Sequence, residues 1–206
     1  VSGLIDFVIS LVERLGYVGL ALAIAAENLF PPIPSEVILP LAGFNVWEGD
    51  FSYPLVVLAT TIGSVIGALV LYAVGRWLGK ERLRRLVERH GRKVFLKVED
   101  VDKADVWFDR YGPPAVFFCR MVPLVRSLIS IPAGIDRMRL STFVLLTALG
   151  SAIWNAVLVG AGWALGTQWA IVEEYVGFFQ YVVIVLILAA IVLFVRRRAL
   201  ARRIRA

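Results

Sequence analysis

Two apolar arms in this chain are too short to cross a bilayer, and each is stopped by a charged residue followed by proline. The first, Tyr17 to Ala26, ends at Glu27 and meets Pro31, Pro32 and Pro34 before the chain turns apolar again from Ser35 to Leu41. The second, Pro113 to Cys119, ends at Arg120, meets Pro123 and resumes from Ser127 to Ile131. A helix needs about 20 residues to cross the hydrocarbon core, and proline removes a backbone donor and clashes with the preceding turn. Each arm pair is therefore expected to enter the membrane and return as a re-entrant hairpin. Non-helical backbone survives at that depth only against protein or a polar cavity, so the prolines themselves imply a cavity. The plainer alternative makes both proline regions surface loops between short buried helices.

Composition makes the bilayer the solvent to consider. Hydrophobic residues are 59% of the 206, with a mean hydropathy of +0.78, against roughly 45–50% apolar in a soluble domain. Pro54 to Gly75, Ser141 to Trp163 and Tyr175 to Val195 are long enough to span, and residues 3–15 place Leu4, Phe7, Val8, Leu11 and Leu15 on one face of an interfacial amphipathic helix. Residues 76–110 carry eleven Lys or Arg against seven acids, and the tail 196–206 is rich in arginine. By the positive-inside rule the loop 76–110 and the C-terminus are expected in the cytoplasm, as parts of a multi-pass protein of a cytoplasmic (inner) membrane. The net charge of +6 arises beside apolar runs, which points to anionic lipid head groups at the basic loop and tail and away from nucleic acid. Cys119 and His90 are each the single residue of their type, so no disulfide, metal site or cofactor is expected. The N-terminus lacks a basic leader, so no cleavable signal peptide is expected. Oligomeric state has no signature in the sequence.

The two halves resemble each other. Thr60, Gly63, Ser64 and Ile66 recur as Thr147, Gly150, Ser151 and Ile153, and Gly75 and Gly79 as Gly162 and Gly166, all at the 87-residue step from Gly63 to Gly150. Ala42-Gly43 resembles Ala133-Gly134, and Glu13-Arg14-Leu15-Gly16 resembles Asp109-Arg110-Tyr111-Gly112, at somewhat larger offsets. A single crossing before the cytoplasmic loop would give the halves opposite orientations, the arrangement in which secondary transporters build a midplane site. The expected fold is an all-α integral membrane protein forming one membrane domain. It is an inverted repeat of amphipathic helix, re-entrant hairpin and Gly-rich transmembrane helix, with repeat 1 at about 3–79 and repeat 2 at about 98–166. A C-terminal transmembrane helix at about 175–195 and the tail 196–206 complete it.

Glu27 and Glu36 bracket the first break; Arg120 and Arg126 bracket the second. Charges inside a membrane are costly, so they pair, line a wet path or serve a function. Two structural Glu–Arg pairs holding the tips together would be the simplest role. The functional alternative uses guanidinium groups to hold a phosphate by paired, charge-assisted bonds. Carboxylates nearby would repel that phosphate unless protonated, and burial favours the neutral carboxyl, which couples protons to phosphate binding. Asn28, Ser35, Ser127 and Asn155 are secondary candidates for hydrogen bonds to phosphate or backbone, with helix capping the expected duty of Ser35 and Ser127.

The runs Glu27-Asn-Leu-Phe-Pro-Pro-Ile-Pro-Ser-Glu36, Phe108-Asp-Arg-Tyr-Gly112 and Phe118-Cys-Arg120-Met-Val-Pro123-Leu-Val-Arg126-Ser-Leu-Ile-Ser-Ile-Pro132-Ala-Gly134 resemble the DedA family of bacterial membrane proteins. It is also called the VTT or SNARE-associated domain group, and the match extends from about residue 13 to residue 170. The resemblance implies lipid translocation linked to the proton-motive force. Bacterial members include undecaprenyl phosphate transporters, and eukaryotic relatives behave as phospholipid scramblases. The family's acidic pair resembles Glu27 and Glu36, and its arginine pair, six apart, resembles Arg120 and Arg126. Some members have Asp in a Gly-Asp-Ser context where this chain has Pro34-Ser35-Glu36. The expected function is that of a flippase carrying a polyprenyl phosphate, with a phospholipid flippase or an energy-independent scramblase as the alternative. An enzyme is not expected: a lipid-phosphate hydrolase would need a nucleophile, base or metal cluster that the sequence does not display.

Overall fold

The computed structural model describes residues 10–12, 14–29, 35–94, 98–123 and 125–166, and these contain helices and turns with no strand. The segment 175–195 and most of 3–15, read above as helices, lie outside the described residues. Seven helices follow: α1 (Tyr17–Leu29), α2 (Ser35–Glu48), α3 (Tyr53–Val94), α4 (Val98–Cys119), α5 (Val125–Leu128), α6 (Ser130–Ile135) and α7 (Leu140–Leu165). Two of them, α3 and α7, are long and apolar enough to cross a membrane. At about 1.5 Å per residue, even the part of α3 before Gly79 exceeds the roughly 30 Å of a hydrocarbon core.

Glycines set where the long helices change direction. Gly79, at φ 61° and ψ 167°, breaks α3 where its apolar run gives way to the charged stretch that continues to Val94. The positive φ is one that only glycine adopts without steric cost. The helix then runs through Gly91 to Val94. Gly112, at φ 37°, breaks α4 in the same way, and Pro113 and Pro114 follow. There they begin a new helical run, where a proline's missing N–H has no helical acceptor to lose. The arm that follows Pro123 begins at Val125, two residues before the start expected at Ser127, and extends to Ile135. Ile129 joins its two pieces, donating to Val125 O at 3.0 Å and accepting from Ala133 N at 3.3 Å.

Packing among the arms depends on bare backbone. A Cβ on Gly63 would collide with Ala21 of α1, and one on Gly75 with Ile131 of α6; on α7, Gly150 abuts Phe117 and Arg120, and Gly162 abuts Pro40 of α2. From the arms' side, Gly43 meets Val159 and Trp163, while Gly134 meets Tyr72 and Arg76. Each long helix thus lies against the first arm of one pair and the second arm of the other. Close approach of this kind is how small residues join helices where burial of apolar side chains offers little driving force. Two buried apolar clusters flank this assembly. Leu20, Ile24, Ile38, Leu39, Val56 and Val159 form one; Tyr72, Phe108, Val116, Ile129, Ala133 and Phe143 form the other.

Candidate functional site

Four of the polar residues expected from sequence converge where the arm pairs meet. Glu27 and Asn28 sit in the last turn of α1, Arg120 just beyond α4 and Arg126 within α5. All four are buried, Arg120 to 1% exposure. Proline at 123 and the short α5 bring the second arm back so quickly that both arginines face the end of α1.

The arginines are not equivalent. Arg126 forms an ion pair with Glu27, Nη2 against Oε2. Arg120 has no carboxylate partner among the described residues. Its Nη2 donates to Ser130 Oγ at 2.8 Å, and its Nη1 makes a long contact with Asn28 Oδ1 at 3.5 Å. Its Nε has no hydrogen-bond partner among the described residues, and its guanidinium lies 6.0 Å from the Phe143 ring centroid. Phe143 in turn packs on Tyr72 with centroids 4.7 Å apart. A buried cation held by neutral dipoles and an aromatic face keeps unspent capacity for an anion. Glu36 is half-buried, has no ion-pair partner among the described residues, and stands close enough for its charge to act on Glu27.

Asn28 joins the two arm pairs. Its Nδ2 donates to Ile24 O at 2.9 Å within its own helix, and its Oδ1 accepts from Ser127 Oγ at 3.2 Å as well as from Arg120. Its Cβ rests on Gly67 of α3. Two expectations change here. Ser127 bonds Asn28 in place of capping a helix, and the Ser35 hydroxyl, fully buried at the start of α2, faces the Glu27 carboxylate. Asn155 also sits apart from the arginines, donating to Thr60 Oγ1 at 3.2 Å between α7 and α3. Two residues of the cluster escaped sequence reasoning, Ser130 and Phe143. Ser130 lies one turn after Arg126 on the same arm, a helical spacing that marks it in retrospect; Phe143 carries no comparable signal.

The VTT domain model matches residues 33–164, well over half of the chain. This chain belongs to the VTT-domain family. That is the group named above as DedA. Among the family's members, an "Alkaline phosphatase-like protein" of Lactococcus lactis subsp. lactis is 46% identical over 198 residues, covering 94% of this chain and 92% of the relative. An "Undecaprenyl phosphate transporter A" of Staphylococcus aureus is 37% identical, covering 90% and 92%. A protein of the same name in Bacillus subtilis is 35% identical, covering 93% and 92%. No solved structure matches this VTT-domain chain. Family membership and the two long apolar helices make it an all-α membrane protein, and the transporter names indicate a lipid transporter within the family.

Proposed function

We propose that this protein is a flippase that moves a polyprenyl phosphate, undecaprenyl phosphate in the first instance, from the outer to the inner leaflet of a bacterial cytoplasmic membrane, driven by protons. The observation that carries this reading is the asymmetry of the two arginines: Arg126 is neutralised by Glu27, whereas Arg120 is buried, charged and without a carboxylate among the described residues. Guanidinium binds a phosphate monoester by two parallel bonds and stays protonated when desolvated. Arg120 is the standing anion ligand. Protonation of Glu27 cancels its charge and releases Arg126 to close on the same phosphate, while Glu36 supplies a second carboxyl whose charge acts on Glu27.

The arm pairs act as re-entrant hairpins of an inverted repeat, entering from opposite sides, with the loop 76–110 and the C-terminus cytoplasmic. The glycine contacts support this, because each long helix is clasped by one arm from each pair at positions 87 residues apart, Gly63 with Gly150 and Gly75 with Gly162. The basic stretch after Gly79 and the arginine-rich tail rest on anionic lipid head groups. The phosphatase-like name of the Lactococcus relative points to hydrolysis, but among the described residues no three His, Cys, Asp or Glu side chains cluster as a metal site, and the buried arginines are better suited to holding a phosphate than to cleaving it.

The deciding experiment measures binding of undecaprenyl phosphate to the protein in nanodiscs, with and without Arg120→Ala. Loss of binding in the variant, with phosphatidylethanolamine a poor competitor, supports the reading. Equal binding by both proteins sinks it, and a preference for phosphatidylethanolamine would turn it toward a phospholipid flippase or scramblase.

A further inference from the structure

Away from the charged cluster, the two long helices bury polar side chains against each other. Thr60 and Ser64 on α3, and Thr147, Ser151 and Asn155 on α7, are each at most 4% exposed. The helices run antiparallel here: Thr60 lies level with Asn155, which donates to it, while further along α3 Gly67 reaches Asn28 and further back along α7 Gly150 reaches Arg120. Ser64 and Ser151 are one turn on from the Thr60–Asn155 bond, and Thr147 is one turn beyond Ser151. These side chains form a seam that begins at Thr60 and Asn155 and ends beside the arginine cluster.

Most of the seam's polar capacity is unspent. Thr60 Oγ1 donates to Val56 O at 2.8 Å and accepts from Asn155. Among the described residues Ser64 Oγ, Thr147 Oγ1 and Asn155 Oδ1 have no partner, nor have the flanking Thr61 Oγ1 and Trp154 Nε1, and the orphan Arg120 Nε is two bonds beyond the Cγ that touches Gly150. Each unsatisfied polar atom in a lipid-surrounded interior costs several kcal/mol, and a serine or threonine in a helix can bond its own i−4 carbonyl, as Thr60 does. Ser64 and Thr147 forgo that bond. Water, which makes two to four bonds to buried polar groups, can satisfy such a row.

We propose that the α3–α7 seam holds a file of ordered water molecules that carries the proton taken up by Glu27. The water file stands on the orphaned atoms alone; its role as a proton route rests on the proton-linked reading above. A proton enters at the Thr60–Asn155 end as hydronium, O–H bonds break and form in turn along the file, and the last water leaves its proton on a carboxylate oxygen of Glu27; nothing is oxidised. Glu27 is faced by Arg126 of α5, Arg120 beyond α4 and Glu36 of α2, while Gly63, Ser64 and Gly67 leave the adjoining stretch of α3 uncharged. The seam is thus uncharged along its length and meets a fixed cation, Arg120, only at its end beside the carboxylate.

The test uses the full chain in nanodiscs. X-ray hydroxyl footprinting reports trapped water by oxidation of nearby rings. Trp154 is expected to label in the unmodified protein and to lose most of that labelling in Ser64→Ala/Thr147→Val/Asn155→Leu; equal labelling in both proteins overturns the water file. Proton uptake on adding undecaprenyl phosphate, followed by stopped-flow with a pH dye, is expected to slow by about tenfold in the single variant Thr147→Val, as for one lost hydrogen-bond step in the barrier, with lipid affinity unchanged. An unchanged rate overturns the proton route. If the unmodified protein takes up no proton, the proton-linked reading itself fails, and footprinting still decides the water file.

Discussion

Asn28 Oδ1 receives both Ser127 Oγ, at 3.2 Å, and the longer contact from Arg120 Nη1, so one neutral oxygen stands where a counter-ion to Arg120 would stand. Replacing Asn28 with Asp would convert that dipole into a carboxylate of nearly the same shape. Asn28→Asp is expected to keep or raise thermal stability in detergent and to lower undecaprenyl phosphate affinity by tenfold or more, about the 1.4 kcal/mol that a competing charge readily supplies. Asn28→Leu should lose both stability and binding. If Asn28→Asp binds as tightly as the parent, Arg120 is not the anion ligand.

The Glu27–Arg126 pair is buried on both sides. Removing one partner of such a pair typically costs about 3–5 kcal/mol, because a lone charge remains in a dry place. Arg126→Ala should therefore lower the unfolding temperature far more than Glu27→Gln/Arg126→Gln, which removes both charges. A double-mutant cycle by thermal unfolding checks this; a loss in the double variant equal to the sum of the two single losses would mean that the two side chains do not couple.

pH dependence follows from the same pair. Protonating Glu27 removes the charge that holds Arg126, so phosphate binding should strengthen as pH falls and weaken as it rises. Glu27→Gln mimics the protonated state and is expected to bind well with a flattened pH profile. An unchanged slope in that variant would transfer the proton to another group, with Glu36 the next to test.

Gly160 and Gly162 lie two residues apart on α7 and make opposite demands. A Cβ at Gly162 would collide with the Pro40 backbone, whereas at Gly160 its nearest neighbour is the Tyr53 hydroxyl at 3.3 Å, the end of a side chain that can shift. Gly162→Ala is expected to destabilise by about 1–3 kcal/mol, the usual cost of forced overpacking, and Gly160→Ala by much less. Thermal unfolding of the two variants side by side would settle it.

By contrast, the Lys80–Asp136 bridge, at 2.6 Å, has a lysine that is half exposed. Surface pairs contribute about 0–1 kcal/mol, so Lys80→Ala should leave unfolding and lipid binding nearly unchanged, with any effect fading in salt.

Much of the site could be read from the chain because its chemistry is local. Charges beside prolines at the ends of short apolar runs are conspicuous, and Glu27, Arg120 and Arg126 do converge. Partners set by contacts across the fold were not legible in the chain. Ser127 was expected to cap a helix and bonds Asn28, 99 residues away; Asn155 was a candidate for phosphate and bonds Thr60, 95 residues away.

Composition, broken arms and the 87-residue spacing were enough to settle the class of protein, the solvent it lives in and which residues carry charge into that solvent, because hydropathy and proline act within a few residues of chain. Which arginine is neutralised and which stands free, and which hydroxyls are left wanting water, only the tertiary structure decided. Those outcomes depend on ångström-scale approach between segments nearly a hundred residues apart, and that approach is set by which glycines meet which backbones.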